Sequence, residues 1–188
     1  LACFREYFSE VTGALTECGG NRDLADFDRY IDGQLDLLEK HGLGLNEIVK
    51  VIARIEPLIG ACEFLDRLRE RAQVLILSDT FEQFGRPLMR KLNWPSLFCN
   101  SLFADADGRV TGYKLRCPHT KLTTVKALQS CGFETIAAGD SFNDLEMIRA
   151  SKAGFLFRST DAIRQANPDI PAFETYDAFL EAIFHALG

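Results

Sequence analysis

From Pro57 onward, the sequence alternates between short apolar runs and segments whose apolar residues recur at helical spacing. Residues 74–77 form a continuous apolar run, which is typical of a strand buried on both faces. Further strands are predicted at 135–138 and near 154–157, with helices between them. Helices are the elements available to cover both faces of such strands. The alternation therefore predicts an α/β fold, in which a parallel sheet is sandwiched by helices.

The part of the chain before Pro57 has a different pattern. Its apolar residues recur at helical spacing, for example at Leu45, Ile48 and Ile52, and no strand pattern interrupts them. We expect a helical unit over residues 1–56 and an α/β core over residues 57–188. Within the core, Asp107-Gly108 supplies the turn of a predicted hairpin.

Charge and composition exclude several classes of protein. The 188 residues include 27 acidic and 21 basic side chains, a formal net charge of −6, so nucleic acid is not expected as a partner. No apolar stretch approaches the roughly 20 residues that span a bilayer, and the sequence does not open with a signal peptide. The six cysteines are scattered and lack zinc-site spacing, as expected of reduced thiols. We therefore expect a cytoplasmic protein with no membrane partner.

Two carboxylates and an amide follow the apolar strand that ends near Gly139. Asp140 stands at the strand tip, and Asn143 and Asp144 lie in the first turn of the next helix. Hard oxygen ligands of this kind suit Mg²⁺, which uses one or two protein carboxylates and keeps other positions for water and phosphate. The alternative is structural, with Ser141 capping the helix and Asp144 favoured by the helix dipole. The pattern predicts a metal site at Asp140, Asn143 and Asp144.

A second polar group follows the strand at 74–77. Ser78 ends this strand, and Asp79 and Thr80 follow where we expect the next helix to begin, a helix predicted from about Glu82 to Lys91. A hydroxyl and free backbone N–H groups at a helix N-terminus can hold a phosphate oxygen, although capping alone also selects these residue types. Because ligands sit at the carboxyl ends of parallel strands, this group and the Asp140 group are expected at one edge of the sheet.

Lys121 lies near the start of the helix that leads to the Asp140 strand. The helix dipole disfavours a cation there, so this lysine either extends into solvent or faces a compensating anion. Lys114 and Lys126 are rival candidates for the same role.

In chain order, strand-end Ser78, Lys121 and the Gly-Asp-Ser-x-x-Asp segment at 139–144 resemble three motifs of the haloacid-dehalogenase-like phosphohydrolases. The resemblance covers most of the chain and is greatest to the phosphoserine phosphatase branch, in particular its bifunctional phosphoserine phosphatase/homoserine phosphotransferase type. It implies a Rossmann-like core over residues 57–188 and a small helical cap over residues 1–56.

The resemblance also implies a mechanism. In the family, an aspartate attacks the phosphate to form an aspartyl-phosphate, and a second aspartate acts as general acid and base. Carried over by position, Ser78 would hold a phosphate oxygen and Lys121 would neutralise the phosphate. Asp140 would bind Mg²⁺, and Asn143 and Asp144 would orient the metal's waters and Lys121. The implied partner is a small phosphorylated metabolite, and the oligomeric state stays open, with a homodimer as one alternative.

The family's first motif, an apolar strand ending in Asp-x-Asp before the cap, has no counterpart upstream of the helical unit. Either a leading segment of about ten residues, a strand and its turn, is absent from this sequence, or the protein is a non-catalytic relative. We expect the first alternative, because the strand would fill the centre of the sheet, where unpaired backbone groups are costly. The first core strand is thus expected to be missing from this chain.

The substrate is the second departure from the family. Relatives place an arginine in the long cap helix to pair with the substrate carboxylate, and the best register puts Gln34 there instead, with Arg29 at least one turn away. We expect a phosphatase or phosphotransferase for a small phosphorylated amino acid, phosphoserine first. Homoserine phosphotransfer, hydrolysis of another small phosphomonoester, a phospho-acceptor switch and an inactive binding protein are the alternatives. Candidate substrate-binding residues are Gln34, Ser78, Asp79, Thr80 and Lys121.

Overall fold

The computed structural model describes residues 44–188, and their helices and strands follow the predicted alternation. The strands are β1 (Leu75–Phe81), β2 (Ser96–Ala104), β3 (Val110–Lys114), β4 (Ile136–Gly139), β5 (Ala153–Phe157) and β6 (Ala172–Phe173). The helices are α1 (Leu45–Ile52), α2 (Ala61–Arg69), α3 (Glu82–Lys91), α4 (Thr120–Ser130), α5 (Leu145–Ala150), α6 (Asp161–Ala166) and α7 (Tyr176–Leu187), with a 3₁₀ turn at Phe142–Asp144 before α5. The predicted α/β class is confirmed.

The described strands form two three-stranded sheets, in the orders β1-β2-β3 and β4-β5-β6. Strands β1 and β2 are parallel, and so are β4, β5 and β6. Strands β2 and β3 form the predicted antiparallel hairpin, whose turn contains Gly108 at φ 81°. Glycine adopts this left-handed conformation without a steric penalty, which is why Asp107-Gly108 makes the turn.

The end of β1 differs from the expectation. The helix predicted from about Glu82 to Lys91 is confirmed as α3, but the expectation that Asp79 and Thr80 lie where it begins is wrong, because β1 continues to Phe81. The pairing of β1 with β2 is irregular here: Leu77 lies opposite Phe98, whereas Phe81 lies opposite Asn100. Four steps along β1 thus match two along β2, which is a bulge of the kind often found beside functional sites.

The sheet β4-β5-β6 lies against an apolar core. Leu156 on β5 is fully buried, and Ile148 on α5 and Ile163 on α6 are each 2% exposed. On the other side, Phe179 of α7 stacks on Phe157 with ring centroids 4.7 Å apart and on Phe64 at 5.2 Å. Burying an aliphatic or aromatic side chain of this size contributes about 1.5–3 kcal/mol. This sheet is therefore stabilised chiefly by apolar burial.

Helix α1 and the connection that follows it are held by one lysine. Lys91 Nζ, on α3, donates to the carbonyl oxygens of Ala53 at 2.9 Å and Ile55 at 2.8 Å, and it pairs with Glu56 at 2.6 Å. These bonds satisfy carbonyls left free beyond the end of α1. The remaining helical segments predicted for residues 1–43, including Gln34 and Arg29, lie outside the described residues, so the cap and its boundary at residue 56 stay predictions.

Two further expectations concern the described part of the chain. Its cysteines, Cys62, Cys99, Cys117 and Cys131, are all free thiols, as predicted. Between residues 44 and 188, no helix combines the length and the apolar character needed to cross a membrane.

Candidate active site

Lys121 connects a polar group near the end of β1 with one that follows β4. Its ammonium nitrogen lies 2.7 Å from Asp144 Oδ1 and 3.3 Å from Asp79 Oδ2. The lysine side chain is 14% exposed and that of Asp144 is 6% exposed, whereas Asp79 remains 46% exposed. The structure therefore brings three of the predicted site residues together, although they come from three separate segments of the chain.

The second oxygen of Asp144 fixes the loop after β4. Asp144 Oδ2 accepts hydrogen bonds from the Asp140 N–H at 3.1 Å, the Ser141 N–H at 3.0 Å and the Ser141 hydroxyl at 2.7 Å. Ser141 and Asp144 also form a capping box at the start of the 3₁₀ turn. Both carboxylate oxygens are thus bonded to protein groups, which satisfies a buried charge that would otherwise be costly.

Gly139 permits this arrangement. A Cβ atom at this position would lie 2.3 Å from Asp144 Cβ, far inside van der Waals contact. The Asp144 side chain therefore occupies the space that any residue with a side chain at 139 would need. This contact gives a steric reason for the first residue of the Gly-Asp-Ser-x-x-Asp pattern.

The charge on Lys121 is stabilised by its neighbours. Burial lowers the pKa of Lys121, but the charges of Asp144 and Asp79, together with their hydrogen bonds, outweigh it and raise the pKa above its ordinary value of 10.5. The lysine is a cation at neutral pH even though it lies near the N-terminus of α4, where the helix dipole opposes it. The two carboxylates are the compensating anions that the sequence suggested. The rival Lys126 is exposed on the same helix.

The segment Ser78-Asp79-Thr80 lies in the bulge of β1. Ser78 Oγ accepts a hydrogen bond from the Thr80 N–H at 3.2 Å, and the Asp79 carbonyl accepts one from the Asn100 side chain at 2.9 Å. The N–H groups here belong to an irregular strand end and not to the first turn of α3. The helix N-terminus that we expected to hold an anion is therefore not at this place.

The residues suggested for a metal lie beside Asp144. Asp140 and Asn143 are exposed, and the Asp140 carboxylate makes no hydrogen bond or ion pair with residues 44–188. Within that range there is no group of three or more His, Cys, Asp or Glu side chains that could hold a metal. Mg²⁺ needs fewer protein ligands than that, and one free carboxylate with a neighbouring amide oxygen fits its preference for oxygen donors. Asp140 and Asn143 are thus the available ligands, whereas both oxygens of Asp144 are already bonded.

Asn100 was not among the residues predicted from the sequence. This residue lies in β2 within an otherwise mainly apolar segment, and it is only 4% exposed. A single amide within a buried strand was a signal that could have been noticed, because buried polar groups require partners. Gln34, the remaining candidate, lies outside the described residues.

Comparison with known proteins identifies the family of this chain. A model of the haloacid dehalogenase-like hydrolases matches residues 5–152, and the chain belongs to this family. It is an enzyme, a phosphomonoester hydrolase similar to the phosphoserine phosphatases. The Phosphoserine phosphatase ThrH of Pseudomonas aeruginosa is 45% identical over 185 residues, which cover 96% of this chain and 90% of that protein. A phosphoserine phosphatase of Pseudomonas syringae is 44% identical over 170 residues, covering 90% of this chain and 72% of the relative.

Solved structures show the same similarity. A phosphoserine phosphatase in its apo form is similar with a TM-score of 0.61 and 26% identity, over 72% of this chain and 70% of that one. A structure described as a phospho-aspartyl intermediate analogue of phosphoserine phosphatase has a TM-score of 0.57 and 29% identity, over 71% and 66% of the two chains. The predicted family and its α/β fold are therefore confirmed.

Proposed function

We propose that this protein is a Mg²⁺-dependent phosphatase or phosphotransferase that acts on a small phosphorylated amino acid, phosphoserine first, through an aspartyl-phosphate. The observation that carries the proposal is the partly buried Lys121 cation, held by Asp144 and Asp79 where the polar ends of β1 and β4 meet. A fixed cation of this kind stabilises charge on phosphoryl oxygens without having to reorganise during the reaction. The names of the relatives support phosphoserine as the substrate and an aspartyl-phosphate as the intermediate. We place the activity in the cytoplasm.

Each candidate site residue within the described part of the chain has a proposed role. Lys121 neutralises the phosphate, Ser78 donates to one of its oxygens, and Asp79 and Thr80 complete the substrate side of the site. Asp144 orients Lys121 through its 2.7 Å contact. We assign the attacking aspartate to none of residues 44–188.

The metal ligands are proposed separately. Asp140 and Asn143 would hold Mg²⁺, and Asp144 would assist by fixing their loop. When bound, the metal would supply further positive charge to the phosphoryl oxygens. Asp140→Asn should therefore raise the Mg²⁺ concentration needed for half-maximal activity, which a metal titration measures.

The decisive experiment measures phosphate release from phosphoserine by the full natural polypeptide with Mg²⁺, alongside other small phosphomonoesters. Adding homoserine as an acceptor distinguishes transfer from hydrolysis. Lys121→Met should lower kcat/KM by about 10²–10³-fold, the scale seen when one electrostatic stabiliser of a transition state is removed. Lys126→Met, on the exposed face of the same helix, is the matched control and should leave kcat/KM unchanged.

A second variant guards against misfolding. Lys121→Met removes the partner of a buried carboxylate, so Ser78→Ala is tested in parallel, because it removes one hydroxyl and leaves that ion pair intact. Ser78→Ala should raise KM for the phosphorylated substrate. The proposal is wrong if the natural polypeptide releases phosphate from none of these esters, or if both variants, folded, retain full activity.

A further inference from the structure

Asn100 is a buried amide whose position on β2 places it beside the site. It is 4% exposed, and a buried amide destabilises a fold unless its donor and its acceptor are both bonded. Both are bonded here, and both partners are backbone groups of segments that carry site residues. This makes Asn100 different from an ordinary strand residue, whose side chain would contact only the adjacent core.

The first bond is to the bulge of β1, which carries Ser78. Asn100 Nδ2 donates to the carbonyl oxygen of Asp79 at 2.9 Å. This carbonyl lies in the bulge, where the register of β1 against β2 shifts between Leu77 and Phe81. The side chain of Asn100 thus satisfies a backbone group at the point where the regular pairing of the strands is interrupted.

The second bond is to the segment that precedes Lys121. Asn100 Oδ1 accepts from the backbone N–H of Arg116 at 3.1 Å. Arg116 then continues the connection, because its guanidinium donates to the hydroxyl of Thr124 on α4 and lies 4.7 Å from the centre of the Phe98 ring. Thr124 is buried and belongs to the turn of α4 that follows Lys121.

The orientation of the amide follows from its partners. A carbonyl oxygen can only accept and a backbone N–H can only donate, so the Nδ2 group must face Asp79 and Oδ1 must face Arg116. One side chain therefore links the bulge of β1 to the segment before α4, with a defined direction and length. A side chain that lacks either the donor or the acceptor would break one end of this link.

We propose that Asn100 is a positioning residue, which sets the distance between the bulge of β1 that carries Ser78 and Asp79 and the Lys121 side chain, so that both can hold the same phosphate group. The inference rests on the proposed function for the identity of that group. It assigns no contact between Asn100 and substrate, since its amide is fully used by Asp79 and Arg116.

Asn100→Asp tests the link with almost no change in size. It keeps an acceptor for the Arg116 N–H but replaces the donor to Asp79 with a second oxygen, so the two oxygens repel each other. We expect kcat/KM for phosphoserine to fall by between about tenfold and a hundredfold at pH 8, the range that a small misplacement of reacting groups produces. The affinity for inorganic phosphate, measured by calorimetric titration, should fall with it.

The pH profile separates positioning from simple damage to the fold. Protonation of the introduced carboxyl restores a donor toward the Asp79 carbonyl, and burial raises the pKa of such a group. The ratio of natural to variant kcat/KM should therefore shrink as pH is lowered from 8 toward 6. A defect that only destabilises the protein would leave this ratio constant or increase it.

Gln83→Glu is the matched control. Gln83 on α3 is also an amide whose donor and acceptor both bond backbone groups, in this case of β2. Its Nε2 donates to the Leu102 carbonyl at 2.9 Å, and its Oε1 accepts from the Leu102 N–H at 3.1 Å. These bonds involve neither the bulge of β1 that carries Ser78 nor the segment before α4. We expect Gln83→Glu to lower the melting temperature to a similar extent as Asn100→Asp while kcat/KM and phosphate affinity stay within about twofold of the natural protein, as for sites that do not couple.

The two proposals fail in different ways. If the natural protein binds inorganic phosphate but hydrolyses no phosphoester, the proposed function is wrong, and the phosphate affinities of the two variants still decide the role of Asn100. If Asn100→Asp and Gln83→Glu have the same affinity and the same pH profile, Asn100 has no positioning role. Failure of the natural protein to bind phosphate overturns both.

Discussion

The two sheets of this protein both bury apolar residues, but they differ in the polar side chains that bond their backbone. The sheet β4-β5-β6 packs through apolar side chains, with Leu156 fully buried and an aromatic cluster around Phe179. The sheet β1-β2-β3 buries Leu102, and in addition the amide of Asn100 links β1 to the segment before α4 and the amide of Gln83 links α3 to β2. Apolar burial is non-directional, whereas a hydrogen bond fixes a distance and an orientation. The first kind of contact keeps the fold together, and the second sets where the site residues lie.

Lys121 is the point at which the two sheets contribute to one site. Its ion pairs reach Asp79 at the end of β1 and Asp144 just after β4. A change in the apolar core should therefore affect unfolding first, and a change near these strand ends should affect activity first. Three substitutions test this distinction, beginning with the one whose effect should be largest.

Phe179→Ala should give the largest loss of stability. Phe179 is 5% exposed and contacts four other rings, three of them stacked, at 4.7, 5.2 and 6.0 Å. Truncating a buried aromatic residue costs about 3–5 kcal/mol, through lost burial and the cavity left behind. Urea denaturation followed by fluorescence or circular dichroism measures this loss.

The control for this substitution is Phe133→Ala, because Phe133 is 59% exposed and should contribute little. Phe179→Leu retains most of the volume and should cost less than the alanine variant. At temperatures where the variants are folded, KM should not change. A loss of less than about 1 kcal/mol for Phe179→Ala, below the usual range for core aromatic residues, would contradict the view that apolar burial dominates this sheet.

Gly139→Ala should have the second largest effect on stability, and it should also disturb the site. The added Cβ would lie 2.3 Å from Asp144 Cβ, so the loop after β4 must shift. Overpacking of this kind costs about 1–3 kcal/mol. Because Asp144 holds Lys121, we expect kcat to fall more than the change in stability alone would explain, measured in parallel by steady-state kinetics and thermal unfolding.

Gly112→Ala provides the comparison for that variant. A Cβ at Gly112 would have its nearest neighbour, in the Phe103 ring, at 3.9 Å, which is ordinary contact, and its backbone requires no glycine. This variant should keep both stability and kcat. Equal behaviour of the two alanine variants would mean that the contact between Gly139 and Asp144 does not constrain the site.

The sequence predicted the fold better than it predicted the details of the site. Strands such as β4 and β5 depend on local apolar runs, and their burial follows from composition. The end of β1 depends on Asn100, which is 21 residues away from Asp79, and no local pattern shows that this amide satisfies a carbonyl in a bulge. Local rules instead favour a helix start at Ser-Asp-Thr, which is why these three residues were expected at the N-terminus of α3 and not within β1.

Lys121 illustrates what sequence reasoning can anticipate. Its place near the start of α4 was unfavourable for a cation, and this local conflict left two alternatives, extension into solvent or a compensating anion. The structure supplies Asp144 and Asp79 as the anions. The packing of α4 against the ends of the strands decided between the alternatives and determined which carboxylates face the lysine.

Asp169→Asn should have the smallest effect, because its ion pair with Arg149 is largely exposed to solvent. Arg149 lies 2.5 Å from Asp169, but the two side chains are 47% and 60% exposed, and such pairs contribute little. The hydrogen bond from Arg149 lowers the pKa of Asp169 below its ordinary value of 3.8, so any stabilisation is present above that pH and disappears as pH falls through the lowered pKa. Melting temperatures of the natural protein and the variant should nearly coincide at pH 7 and converge further in acid. A difference in melting temperature at pH 7 as large as that caused by Gly139→Ala would mean that directional polar contacts stabilise the sheet β4-β5-β6 as well.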